Sequence, residues 1–431
     1  MSRPAASTTP SFHDAFRFWL KLGFISFGGP AGQIAIMHRE LVERRGWIGE
    51  SRFLHALNFC MFLPGPEATQ LAIYIGWLLH GTAGGIVAGV LFVLPSVFVL
   101  WGLSFLYVSF AGLGWVAAIF YGLKAAVVAI VAHALLRIGR KALRNDAFIA
   151  IAIGAFVALF FFHVPFPLVI LSAGIIGLIG KRLRPDLFVS SSAASGQSRV
   201  EYSEESRMVP TSGRSIRVVS LCLLLWWAPV ALAGALLGWN NILVTEAVFF
   251  SKAAMVTFGG AYAVLPYVAQ QAVERFGWLT APQMVDGLGL AETTPGPLIM
   301  VVLFVGFMAG WHHPSPLAPL TMATWGALIT TWVTFVPCFM WILLGAPYVE
   351  RLYGNPRLGS VLAAITAAVV GVVANLSVWF AAHVVFPNGA VDLFALGVGA
   401  LILLGLIRWK WEVVPVVLGS GVAGLIYRLL V

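Results

Sequence analysis

The 431-residue chain is 60% hydrophobic and only 10% charged, and its 26 Lys and Arg outnumber 17 Asp and Glu for a formal net charge of +9. A soluble domain needs about 25% charged residues to wet its surface, so this composition, with a mean hydropathy of +0.93, excludes a soluble globular protein. The positive balance would suit nucleic acid, but the cations sort by membrane side, so membrane lipids are the expected surroundings and no nucleic-acid partner is expected.

Residues Met1 to Asp14 are polar and contain no apolar h-region, so no cleaved signal peptide is expected. Two pairs of short apolar segments follow: 12–28 and 31–45 around Phe27-Gly28-Gly29, then 53–63 and 66–79 around Pro64-Gly65-Pro66. Each segment has roughly 11–17 residues, about 17–25 Å of helix, too short to span alone. Each pair reads as a re-entrant hairpin or as one broken spanning helix, and hydropathy does not separate the two. Four full spans are expected at 85–109, 115–141, 147–163 and 165–183. The Ser-rich stretch 181–217 carries seven Lys and Arg and reads as a flexible cytoplasmic linker. Beyond it, 218–238 is a connecting span. The expected domains are therefore 1–183, the linker 184–217, the connector 218–238, and a second domain at 239–431.

The second domain repeats the first. Phe27-Gly28-Gly29 returns as Phe258-Gly259-Gly260 and Pro64-Gly65-Pro66 as Pro295-Gly296-Pro297, each 231 positions on. Lys21/Lys252, Glu43/Glu274 and Gly46-Trp47/Gly277-Trp278 keep the same register. In the first copy Arg39, Arg44, Arg45 and Arg52 fall in one loop, and Arg137, Arg140, Lys141 and Arg144 in another. The positive-inside rule places both in the cytoplasm. In the second copy the matching loops are nearly free of cations, while Arg351, Arg357, Arg408 and Lys410 mark the opposite ends. The bias inverts, as expected for an all-α polytopic membrane protein built from two inverted-topology repeats with discontinuous or re-entrant helices around the FGG and PGP motifs. Interrupted helices in both halves of a membrane chain point to a transporter's binding site.

Glycine ends a helix because it takes positive φ freely, and Pro30 suits the first position of the next segment. Each break leaves a half-helix N-terminus with free N–H groups and partial positive charge, suited to an anion. The expected substrate-binding set is Lys21, Ser26, Gly28, Gly29, Gly65, Thr69 and Gln70 in the first half, and Lys252, Thr257, Gly259, Gly260, Thr293, Thr294 and Gly296 in the second. Gln33 and Tyr262 flank the same breaks. The hydroxyls and amides suit an oxyanion; the competing reading is that Ser and Thr cap their own helices. Lys21 and Lys252 each lie six residues before an FGG, about 9 Å along a helix, and read as cations drawing an anion in or as snorkelling side chains. Lys124 is a weaker candidate. Glu67 and Glu292 stand nearest the PGP turns and are the candidate proton-coupling acids, although a carboxylate at the helix N-terminus is also favoured structurally. Cys60, Cys222 and Cys338 read as small core residues. No metal site, cofactor or catalytic constellation is expected, and an intramembrane enzyme is disfavoured. A gated anion channel shares the helix-end chemistry.

Phe27-Gly28-Gly29-Pro30 with Met37, Glu40-Leu41-Val42 and Trp47, then Leu63-Pro64-Gly65-Pro66-Glu67-Ala68-Thr69-Gln70, resembles the N-terminal half of the chromate ion transporter family. Thr257-Phe258-Gly259-Gly260-Ala261-Tyr262, Trp278-Leu279 and Ala291-Glu292-Thr293-Thr294-Pro295-Gly296-Pro297 resemble its C-terminal half. The resemblance covers nearly the whole chain, in the long two-domain form. It implies a bacterial inner-membrane protein that exports chromate and gives resistance, with sulfate as structural analogue; transport in the uptake direction, or anion exchange, stays open, as does a homodimer. The second half has Ala261 where the first has Pro30, so the two breaks are expected to differ.

Overall fold

The computed structural model describes residues 10–188, 212–348 and 356–430, and all regular structure among them is helical. In a bilayer the backbone has no water to bond, and a helix satisfies its own N–H and C=O groups. The first half runs α1 (Phe12–Ile25), α2 (Gly29–His38), α3 (Glu50–Met61), α4 (Glu67–Phe110), α5 (Gly114–Ala142), α6 (Asp146–Phe160) and α7 (Phe166–Leu183). The connector is α8 (Ser212–Leu237). The second half runs α9 (Ile242–Met255), α10 (Ala261–Gln270), α11 (Ala281–Thr293), a 3-10 turn at Leu298–Met300 leading into α12 (Val301–His312), α13 (Pro319–Gly345), α14 (Pro356–Val384), α15 (Leu393–Arg408) and α16 (Val413–Leu430).

The halves correspond element by element. Both α2 and α10 continue into a π-helical turn, Arg39–Arg44 and Gln271–Arg275. The long α4 is interrupted at His80 and Gly81, where φ is −140° and +62°. That divides it into the counterparts of α12 and α13. Much of the expected linker, and Arg351 with it, lies outside the described residues.

Among the described residues, seven helices are long and apolar enough to cross a membrane: 67–110, 114–142, 166–183, 213–237, 319–345, 358–384 and 413–430. This is a multi-pass membrane protein. The segment expected to span at 147–163 forms a shorter helix, α6, of 15 residues, and α15 has 16. Helices α1 to α3 have 14, 10 and 12 residues, about 15–21 Å at 1.5 Å per residue, well short of a 30 Å hydrocarbon core. Leu224, Leu232 and Leu236 of α8 are exposed, as suits a helix that faces lipid.

The halves are intertwined rather than set side by side. Helix α5 packs against α15 and α16 of the other half, and α14 reciprocally against α6 and α7. Small residues allow the close approach. A Cβ on Gly122 of α5 would collide with the Ser420 carbonyl of α16, and one on Gly177 of α7 would stand 2.6 Å from the Ser360 carbonyl of α14. Helices α4 and α13 also meet. The three cysteines are free and buried.

Candidate functional site

Six glycines form the breaks, and all have positive φ: Gly28 and Gly29 at +86° and +68°, Gly259 and Gly260 at +80° and +89°, Gly65 at +132° and Gly296 at +111°. A side chain is strained in that region, so glycine is required there. The backbone then crosses between halves. The Gly65 N–H donates to the Thr257 carbonyl over 2.7 Å, and the Gly296 N–H donates to the Ser26 carbonyl over 2.7 Å. Ser26 and Thr257 are themselves repeat equivalents. Each PGP turn thus docks on the FGG break of the other half, and two identical bonds are made by a pseudo-two-fold exchange.

Side chains lock these turns. The Gln33 amide donates to the Gly296 carbonyl, and lies 3.4 Å from the Ser26 carbonyl. The Gln70 amide donates to the Pro64 carbonyl over 2.8 Å, and the Ser96 hydroxyl donates to the Pro295 carbonyl. A Cβ on Gly65 would stand 2.7 Å from the Gln70 amide nitrogen and 3.0 Å from the Cys338 sulfur; one on Gly296 would run into Ser96.

The segments leaving the breaks start without side-chain caps: α2, α4, α10 and the turn at Leu298–Met300. By contrast, α1 and α9, which enter the breaks, are capped by Ser11 and Asn241. Uncapped helix starts keep N–H groups free for a ligand.

The expected residues separate into two groups. The Ser26 hydroxyl donates to the Leu22 carbonyl and the Thr257 hydroxyl to the Ala253 carbonyl, both over 2.6 Å. Thr293 donates to the Gly289 and Leu290 carbonyls, and Thr294 to the Leu290 carbonyl. These four hydroxyl hydrogens are committed to their own helices and leave only lone pairs outward. Thr69 differs: its hydroxyl is buried with no partner, as are the amide oxygens of Gln33 and Gln70. Lys21 and Lys252 stand exposed on α1 and α9, whereas Ser26, Thr69, Gln70, Thr257 and Thr294 are buried. Lys252 lines a surface cavity with Gln271 and Arg275.

The two acids converge on the breaks. A Cβ on Gly260 would stand 3.4 Å from the Glu67 carboxylate, which puts Glu67 of the first half beside the FGG of the second. The Tyr262 hydroxyl donates to Glu292 over 2.6 Å, and lies 3.9 Å from where a Cβ on Gly29 would be. Arg137 of α5 is half-buried and acts electrostatically on both Glu292 and Tyr262; Lys141 acts on Glu67. The charge pattern had put Arg137, Arg140 and Lys141 in a loop. They form instead the last turns of α5, which ends at Ala142, where cations are favoured by the helix dipole. Arg137 is the functional candidate that sequence reasoning passed over; its only signal was its position at the end of a long apolar run.

The chromate transporter family model matches residues 13–178 and 245–425, one segment in each half. The chain is 32% identical over 427 residues to the chromate transport protein of Pseudomonas aeruginosa, covering 96% of this chain and 92% of that one. It is 28% identical over 425 residues to the chromate transport protein of Cupriavidus metallidurans, covering 97% and 94%, and 28% identical over 365 residues to a probable chromate transport protein of Synechococcus elongatus, covering 85% and 83%. No solved structure matches. With both halves matched, and with the motifs that shape the central breaks inside the matched segments, the chain belongs to the chromate transporter family.

Proposed function

We propose that this protein is a secondary transporter that exports chromate across the bacterial inner membrane and so gives chromate resistance. The observation that carries the reading is the reciprocal docking of Gly65 on Thr257 and Gly296 on Ser26. It brings uncapped half-helix starts from both halves to one centre, where a tetrahedral dianion can be held by N–H groups and by the Thr69 hydroxyl. The names of the full-length relatives support chromate as the substrate, and sulfate, with the same charge and shape, is the expected competitor. The halves are inverted repeats that rock about this centre, with the FGG and PGP breaks near the bilayer midplane.

Half-buried Arg137, which acts on Glu292 and Tyr262, supplies positive charge beside the breaks, and Lys21 and Lys252 raise the local anion concentration from exposed positions rather than touching the bound anion. Membrane potential favours export, since moving each negative charge out of a negative interior is worth about 2.3 kcal/mol per 100 mV. Glu67 and Glu292, beside the breaks, are acids that take part in coupling proton movement to the anion.

Purified protein in liposomes with an imposed voltage tests this. Labelled chromate is expected to move saturably out of the negative compartment, with sulfate competing. Flux proportional to voltage without saturation would make the protein a channel. Concentration of sulfate into the negative compartment under a proton gradient would make it an importer.

A further inference from the structure

Away from the glycine breaks, a second group of polar side chains is buried among apolar helices. Asp286 of α11 is 4% exposed. Its Oδ2 accepts a hydrogen bond from the Tyr107 hydroxyl of α4 over 2.9 Å and lies 3.6 Å from the Lys124 ammonium of α5. Its Oδ1 is buried and has no partner. Two of the three residues come from the first half and one from the second. Asp286 precedes Thr293 by seven residues, about 10 Å along α11, so the group is separate from the turns themselves.

The cluster breaks the repeat. The position equivalent to Asp286, 231 residues earlier, is the buried His55. Helices α5 and α14 each have 29 residues, and the eleventh residue is Lys124 in one and Thr366 in the other. A scaffold that reproduces its turns and helix contacts in both halves therefore carries this charge pair once. Packing alone gives no reason to place it there, because an ion pair in an apolar interior costs more desolvation than well-packed apolar residues, and intramembrane ionisable groups are ordinarily functional.

We propose that the Tyr107–Asp286–Lys124 cluster is a proton-binding site that couples proton movement to anion transport. The inference rests on the reading of the protein as a secondary transporter. Half of the carboxylate is held by two partners, while the other half is buried with nothing to bond. A buried charged oxygen without a partner carries its full desolvation cost. A proton taken from water on one side forms an O–H bond at Oδ1 and removes that charge; its release to water on the other side restores the pair. Lys124, whose side chain is 25% exposed, can leave a neutral Asp286 without being buried alone. Among the described residues, Lys124 on α5 and Tyr107 on α4 are the ionisable groups that act on Asp286 from the helices packed around α11. Both α5 and α11 run on from the cluster to the central breaks, α11 through Glu292 and α5 through Arg137. A change of one charge here bears on α11, which leads into the second PGP turn, and on α5, which carries Arg137.

The test uses full-length protein in liposomes and labelled chromate, read two ways: flux driven by a pH gradient at clamped voltage, and chromate–chromate exchange at equal pH. Asp286→Asn is expected to cut the gradient-driven flux about tenfold or more, the scale of coupling between linked sites, and to keep exchange within about threefold. The double variant Lys124→Met/Asp286→Asn, which removes both charges together, is expected to behave the same way. Gradient-driven flux retained in Asp286→Asn overturns the proposal, and so does loss of exchange in both variants, which would make the cluster scaffold. A wild-type protein that exchanges chromate but ignores pH overturns the proposal and leaves the transporter reading standing. A wild-type protein that exchanges no chromate defeats that reading instead.

Discussion

Gly65 and Thr257 belong to different halves of the chain, yet the amide of the first donates to the carbonyl of the second over 2.7 Å. Gly296 and Ser26 repeat the bond at the same length with the halves exchanged. Neither bond involves a side chain, so neither can be tuned by a substitution that leaves the turn intact. The turn itself has to change.

Replacing Gly65 or Gly296 with Ala is therefore expected to abolish most transport. Both have φ above +100°, a conformation costing a side chain about 1–2 kcal/mol, and in both the new Cβ meets Cys338 or Ser96 from the opposite half. Gly102, with open space around its Cβ position, is the control, and Gly102→Ala should transport as the wild type does. Labelled chromate flux at equal protein content reads all three.

Gln33→Ala should weaken the docked turn without removing it. It deletes the donor to the Gly296 and Ser26 carbonyls and leaves buried acceptors short of a partner, at about 1–3 kcal/mol. The melting temperature of the detergent-solubilised protein should fall by several degrees. An unchanged melting temperature would mean that the backbone bonds hold the interface alone.

Tyr262→Phe removes the hydroxyl that donates to Glu292 over 2.6 Å. Maximal chromate flux should fall more than apparent affinity changes, because the anion groups at the breaks remain. Glu292→Gln still accepts the hydroxyl, so it should fold normally while losing the dependence of transport on a pH gradient. Full pH-driven flux in Glu292→Gln would remove that acid from coupling.

Lys21→Met and Lys252→Met are expected to have small effects that depend on salt. Both side chains are exposed, and exposed charges farther apart than about 10 Å are screened at 0.1 M ionic strength. Apparent KM should rise at low salt and match the wild type at high salt, with maximal rate unchanged. A large fall in maximal rate at any salt concentration would place the lysines at the bound anion.

The interruptions were legible in the sequence because each rests on a residue with one dominant backbone property. Gly28, Gly65 and their equivalents take positive φ, and Pro66 precedes the first residue of α4. The 231-residue register likewise revealed which breaks correspond. What joins them was hidden, since two backbone groups far apart in sequence leave no mark on composition. The hydroxyls have a local partner that the sequence does not reveal: Ser26 and Thr257 sit just past the end of a helix, where bonding to the carbonyl four residues back competes with any ligand. Charge pattern placed Arg137 in a loop because basic residues mark both cytoplasmic loops and helix C-termini. Asp286 went unremarked because its partners come from α4 and α5, and only the fold brings them together.

The most direct measurement is a structure of the protein with chromate bound, compared with one holding sulfate. The expected density lies between the FGG and PGP breaks, within hydrogen-bonding distance of backbone N–H groups from both halves and of the Thr69 hydroxyl. An anion held by one half only, or seated at the exposed Lys21 or Lys252 away from the turns, would contradict a shared central site.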